Sequence, residues 1–219
     1  MKSLLLFGGT FDPVHHGHTA MAAEALKETS ASELVALPAG NPYQKGRLPM
    51  ASGEHRTAML RIAFERNADI SIDTRELTRH GATFTVDTLR ELRHEQGDAA
   101  ALTWLIGGDA FAKLDSWHQW QALFELANFA VVLRQGEPHP LLAASMAFKS
   151  HLAERQTEAS TLGESAFGGY AILAAAVPPV SSTSIRARIK AHQSIRGLAP
   201  DGVCDYIEHH KLYEHEEKT

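Results

Sequence analysis

Cysteine is almost missing from this chain of 219 residues, with Cys204 the only one. One thiol cannot close an intrachain disulfide, and a cysteine-rich zinc module needs several, so neither device holds the fold together. Long apolar runs are missing too. Leu4-Leu5-Leu6-Phe7 is too short for the core of a signal peptide, and nothing elsewhere approaches the roughly 18 apolar residues that cross a bilayer. There is no basic surplus: Lys and Arg number 21 against 26 Asp and Glu, a formal charge of −5. Binding a nucleic-acid backbone takes a concentrated basic surface, so an anionic ligand here must be gripped locally. The absences together point to a cytoplasmic protein with neither a membrane nor a nucleic-acid partner, and they leave the oligomeric state open.

What is present is an ordinary globular composition, 44% hydrophobic and 21% charged. That length suits a single α/β domain over residues 1–219 with one core and a helical C-terminal portion at about 181–213. Strand-like runs fall at Leu4–Phe7, Leu34–Leu37, Ile70–Ile72, Leu102–Ile106, Phe129–Leu133 and Tyr170–Leu173. Helical patterns fall near Thr19–Lys27, Glu54–Arg66, Val86–Glu95, Gln119–Ala127, Ser184–Ala191 and Val203–His209. Strands separated by crossover-length helices predict a parallel sheet covered on both faces, a doubly wound, Rossmann-like α/β fold. Ligands of such sheets sit beyond the carboxyl ends of the strands. Gly8, Pro38 to Pro42, Gly107-Gly108-Asp109, Arg134 and Pro178 to Arg186 all follow strands, so one rim collects them. Between Glu137 and Gly169 the pattern is least informative: Leu141–Arg155 reads as helical, Gln156–Gly169 as a loop, and neither carries a function.

The first rim segment is the most telling. After the opening strand comes Gly8-Gly9-Thr10-Phe11-Asp12-Pro13-Val14-His15-His16-Gly17-His18, and then a helix. Glycines let backbone approach a ligand, and the N–H groups and positive dipole end of a helix start favour an anion. His15 and His18, three apart, can face one phosphate and donate charge-assisted hydrogen bonds to it. As a metal pair they lack a third ligand. Asp12 reads as a turn residue, because a carboxylate beside phosphate oxygens would repel them.

This segment resembles the (H/T)-x-G-H signature of the nucleotidyltransferase superfamily, and its longer form G-G-T-F-D-P-x-H-x-G-H is similar to that of the nicotinate-nucleotide adenylyltransferase family. Pantetheine-phosphate enzymes share much of the string. Far along the chain, Ser181-Ser182-Thr183-Ser184-Ile185-Arg186 would by itself be a helix cap followed by a surface arginine. It is also similar to the family's I-S-S-T-x-I-R element, with Val180 for the first isoleucine. Hydroxyls, a helix start and a guanidinium fork can together hold a triphosphate opposite the histidines.

Further elements carry the resemblance. Ile106-Gly107-Gly108-Asp109 through Trp117 matches a stretch whose tryptophan stacks on the nicotinate ring. A tryptophan there would otherwise be core, the reading that Trp120 keeps. Asp109, otherwise a helix cap, is implied to meet ribose hydroxyls. Thr83-Phe84-Thr85-Val86-Asp87-Thr88-Leu89 resembles S-Y-T-x-x-T-L, whose backbone amides meet the nicotinate carboxylate; Phe84 here lacks the usual hydroxyl. The family's Pro-Pro-His with a following cation is Pro42-Tyr43-Gln44-Lys45, so an imidazole contact is replaced by Gln44. A loop lysine such as Lys45 is by itself a solvated charge, with Arg47 nearby.

The resemblance implies adenylyl transfer from ATP, with Mg²⁺, to nicotinate mononucleotide. His15, His18, Lys45 and Arg186 would act on the phosphates. Gly8, Gly9, Thr10, Phe11, Gly17, Gly107, Asp109, Arg134, Ser181, Ser182, Thr183 and Ile185 would bind ATP. Thr85, Trp117 and His118 would bind the pyridine substrate. Two other readings stay open, a pantetheine-phosphate adenylyltransferase and a nucleotide-binding module that has lost its chemistry. His209-His210 reads as surface.

Overall fold

A computed structural model describes residues 2–41, 48–134 and 136–214. Among them six strands form one all-parallel sheet in the order β3-β2-β1-β4-β5-β6. The strands are β1 (Ser3–Gly9), β2 (Glu33–Pro38), β3 (Ile70–Ile72), β4 (Ala101–Gly107), β5 (Asn128–Arg134) and β6 (Tyr170–Ala175). They coincide with the six apolar runs, because strands buried on both faces leave no polar alternation to dilute the signal, the short edge strand β3 with its exposed Ser71 excepted. Strand order reverses between β1 and β4, the point where this architecture opens a crevice.

Side-chain alternation divides the apolar interior in two. Leu5, Phe7, Leu34, Ala36, Leu105, Ala130 and Val132 face one side, with α1 (His16–Thr29), α2 (Gly53–Phe64), α7 (Ser182–Lys190) and α8 (Asp201–His209) packed against them. Leu4, Leu6, Val35, Leu37, Leu102, Trp104, Phe129 and Val131 face the other, covered by α3 (Thr85–Gln96) and by Leu114, Leu123, Phe124, Phe148 and Leu152. The expected single core is therefore two layers separated by the sheet, as the period of two requires when both faces are covered.

Two expected helices come out shorter. The pattern at Gln119–Ala127 yields only α5 (Trp120–Leu123), since Gln119 has a left-handed φ of 51° and the bonds from the N–H groups of Phe124, Glu125 and Leu126 reach back three residues. The pattern at Leu141–Arg155 splits into a 3-10 turn at Pro140–Leu142 and α6 (Met146–Leu152), capped by Ser145. The predicted loop at Gln156–Gly169 holds a 3-10 turn at Ala159–Gly163. A four-residue helix, α4 (Gly108–Phe111), follows β4. Among the described residues no helix is long and apolar enough to cross a membrane.

Candidate functional site

Two adjoining hollows occupy the crevice at the carboxyl ends of β1 and β4. One, of about 580 Å³, is lined by Thr10, His18, Arg134, Ser181, Ser182, Thr183 and Arg186 among others. The second, of about 440 Å³, is lined by Gly8, Glu76, Thr83, Thr85, Trp104, Lys113 and Trp117 among others. They share Phe7, Gly9, Thr10, Gly107, Asp109 and Ala110, so the exposed Asp109 stands where the two meet. A separate hollow of about 520 Å³ lies where β5 begins, at the opposite end of the sheet. Its polar groups serve the fold: Asn128 donates to the Leu162 and Ser165 carbonyls, and Arg155 to those of His151 and Gly168.

The imidazoles are fixed by the start of α1. His15 caps the helix, its Nδ1 accepting from the Gly17 N–H at 3.1 Å, while His18 Nδ1 accepts from the His15 N–H at 3.3 Å. An accepting Nδ1 on a neutral ring puts the proton on Nε2. The rings stack with centroids 3.8 Å apart, and Phe11 lies edge-on to His18 at 5.0 Å. His15 is 3% exposed, and burial, with the positive Arg134 adding to it, pushes its pKa down to about 4. It is therefore neutral at pH 7 and sits behind His18, which reaches the hollow.

The free amides expected at this helix start are not free: His16 N–H donates to Leu198 O and Gly17 N–H to His15. At α7, Ser181 and Ser184 form a capping box that satisfies the Ser184 N–H, while the N–H groups of Ser182 and Thr183 meet no acceptor among the described residues. Ser182 Oγ donates to the Pro13 carbonyl and ties α7 to the first turn.

Asp12 lies in a turn, as expected, but is 5% exposed and serves as a joint. Its Oδ2 accepts from the Met50 N–H at 2.8 Å, and its Oδ1 from the Ala51 N–H at 3.0 Å and the Tyr213 hydroxyl at 2.9 Å. Arg186 Nη1 donates to the Asp12 carbonyl at 2.5 Å and stands 3.9 Å from Oδ2, while Nη2 donates to Thr183 Oγ1. Arg56, 2% exposed, donates to the carbonyls of Thr10, Ala39 and Ala51 and so fastens three rim segments together.

The second hollow is aromatic. Trp117 is half-buried at its wall, and the Trp104 ring lies under Gly8, where a Cβ would come within 2.2 Å of it. The N-terminus of α3 opens here at Thr85. Glu76, 6% exposed, accepts from the Thr88 hydroxyl at 2.7 Å, and burial pushes its pKa up.

The structure brings together Gly8, Gly9, Thr10, Phe11, His18, Gly107, Asp109, Arg134, Ser181, Ser182, Thr183, Arg186, Thr85 and Trp117 on these walls. Ile185 is fully buried in the apolar layer, so its side chain binds no nucleotide. Gly17 is buried under the His15 ring. His118 lies outside both linings with its ring 4.5 Å from Phe84. Lys45, Gln44 and Arg47 lie outside the described residues. Trp120 packs on Phe148 and His151, and His209 and His210 are exposed, as expected. Sequence reading missed Trp104, Glu76, Arg56 and Tyr213. The only available signal was the arginine on the otherwise apolar face of α2, and for Trp104, Glu76 and Tyr213 there was none.

The family model described as cytidylyltransferase-like matches residues 6–188. A probable nicotinate-nucleotide adenylyltransferase of Chromobacterium violaceum is 41% identical over 210 residues, covering 95% of this chain and 97% of that protein. One from Cellvibrio japonicus is 39% identical over 211 residues, covering 96% and 98%. Among solved structures, Plasmodium falciparum nicotinic acid mononucleotide adenylyltransferase complexed with NaAD superposes with a TM-score of 0.68 at 18% identity, covering 98% of both chains. That similarity speaks to the fold.

Proposed function

We infer the work of the cleft from the premise that this chain belongs to the cytidylyltransferase-like family and, within it, to the nicotinate-nucleotide adenylyltransferases. It transfers the adenylyl group of ATP to nicotinate mononucleotide, forming nicotinate adenine dinucleotide and pyrophosphate. The observation that carries this reading is the pairing of the two hollows, one lined by phosphate-binding groups and the other by aromatic rings, which meet at Gly9, Gly107 and Asp109.

An oxygen of the mononucleotide phosphate attacks the α-phosphorus of ATP in line, and the bond to the bridging oxygen of pyrophosphate breaks. The protein supplies no nucleophile; it aligns two anions and stabilises the charge that shifts to the leaving group. His18 Nε2–H, backed by the stacked and neutral His15, donates to the reacting phosphates. Arg186, the Ser182 and Thr183 amides and the Ser181 hydroxyl hold the β and γ phosphates, with Arg134 on the near wall. Lys45 joins them by family resemblance. Asp109 accepts from ribose hydroxyls. Trp117 stacks on the pyridinium ring, and the first-turn N–H groups of α3 at Thr85 take the nicotinate carboxylate.

Magnesium enters with ATP as the metal-nucleotide substrate. Among the described residues no three His, Cys, Asp or Glu side chains gather in metal-holding geometry, and the Asp12 carboxylate already accepts from the Met50 and Ala51 amides and the Tyr213 hydroxyl, so phosphates and water would be the ion's ligands. We treat residues 1–219 as one working unit, because Arg186 and Tyr213 of the C-terminal portion both meet Asp12 of the first turn. A lone cysteine that needs no oxidising compartment supports a cytoplasmic site of action.

The test is pyrophosphate release with MgATP and a panel of nicotinate mononucleotide, nicotinamide mononucleotide and phosphopantetheine. Release should be fastest with the nicotinate substrate. Release only with phosphopantetheine overturns the substrate, and ATP binding without any release overturns the chemistry. His18→Ala should keep its fold and lose turnover by about a hundredfold to a thousandfold, the usual effect of removing one such donor.

A further inference from the structure

Tyr213 lies just beyond α8 and is 6% exposed, packed into the apolar layer that holds α7. Its backbone has a left-handed φ of 69°, an uncommon state for a bulky residue, which the chain adopts while turning this side chain inward. The hydroxyl donates to Asp12 Oδ1 at 2.9 Å, across 201 positions of sequence. Burial and the Asp12 carboxylate raise the pKa of the phenol, so it stays protonated and remains a donor.

The carboxylate that Tyr213 meets also faces the phosphate-binding Arg186 at 3.9 Å. Met50 and Ala51 amides take one lone pair on each oxygen, Tyr213 takes another on Oδ1, and Arg186 is left 3.9 Å from Oδ2. Its guanidinium is steered instead by the Asp12 carbonyl and Thr183 Oγ1, on the wall of the first hollow. A carboxylate short of donors would draw a neighbouring arginine into a bidentate pair, which is the stronger arrangement.

We propose that Tyr213 is a positioning residue for the triphosphate grip: by occupying Asp12, its hydroxyl keeps Arg186 turned to the cleft instead of closed onto the carboxylate. This deepens the proposed function and rests on its placement of ATP beside Arg186. The last turn of the described chain thereby sets how well the first turn's site binds nucleotide.

The test is Tyr213→Phe in the full chain, which keeps the buried ring and removes one oxygen. ATP affinity by titration calorimetry and the KM for ATP should weaken about three- to tenfold, the scale of one ordinary net hydrogen bond. The KM for nicotinate mononucleotide should stay within about twofold, since Trp117 and Thr85 are untouched. In an Arg186→Ala background the same change should have no further effect on ATP affinity. A purely structural strut would lower the melting temperature and leave ATP affinity unchanged, which overturns the proposal. So does equal weakening of both substrates, or full additivity with Arg186→Ala. If the wild-type protein releases no pyrophosphate, the proposed function fails, whereas the calorimetric comparison still judges Tyr213.

Discussion

His15 gives up the charge that its residue type offers at mildly acidic pH, and the reason is burial beneath His18 and beside Arg134. Its pKa near 4 in the folded chain compares with 6.5 for an unperturbed imidazole. Between those values the unfolded chain binds a proton that the folded one refuses. Stability is therefore full above pH 6.5, falls as the pH drops toward 4, and levels below that, a loss of about 3 kcal/mol from this group. His15→Asn retains an acceptor for the Gly17 N–H and does not titrate. Urea unfolding at pH 7 and pH 4 should show the acid loss shrinking by about that amount in the variant; an unchanged loss would assign it to other groups. The histidine spacing was readable from sequence, but neutrality was not, because the burial of the ring and the Arg134 charge beside it come from the folded chain.

At the scale of elements, β1 and β4 meet across the switch point, and the Trp104 ring of β4 covers Gly8 of β1. A Cβ at position 8 would sit 2.2 Å from Cζ2 of a ring that is 3% exposed and cannot swing aside. Gly8→Ala should lower stability by about 1–3 kcal/mol, the usual cost of overpacking, and weaken mononucleotide binding because the displaced ring lines that hollow. Thermal denaturation and the KM for the pyridine substrate check both. All six strands were legible because apolar runs bounded by glycine, proline and asparagine are local signals. Helices α5 and α6 were legible only in part. Gln119 in a left-handed state and the extended, helix-capping Ser145 break what periodicity alone presents as continuous helix.

For the whole molecule, the proposed function divides recognition between the two hollows, and on that reading a change in one should leave the other alone. Trp117→Ala is expected to raise the KM for nicotinate mononucleotide about tenfold, from loss of ring stacking and its cation–π component, with the KM for ATP nearly constant. Steady-state kinetics with each substrate varied in turn reads both; a matched rise in the two constants would remove Trp117 from the pyridine wall.

Local pattern by itself determined the strand runs, the glycine turn with His15 and His18, the capped start of α7 and the placing of each beyond a strand. Each is written within a dozen neighbouring residues, where backbone preference and apolar period act. Tertiary structure alone decided that the His16 amide is spent on Leu198, that Ile185 faces the core, that Arg56 and Tyr213 brace the rim turns, and that Trp104 lines the second hollow. Those outcomes depend on hydrogen bonds and close contacts between positions far apart in the chain, and no period or propensity encodes which distant groups a fold brings within 3 Å of one another.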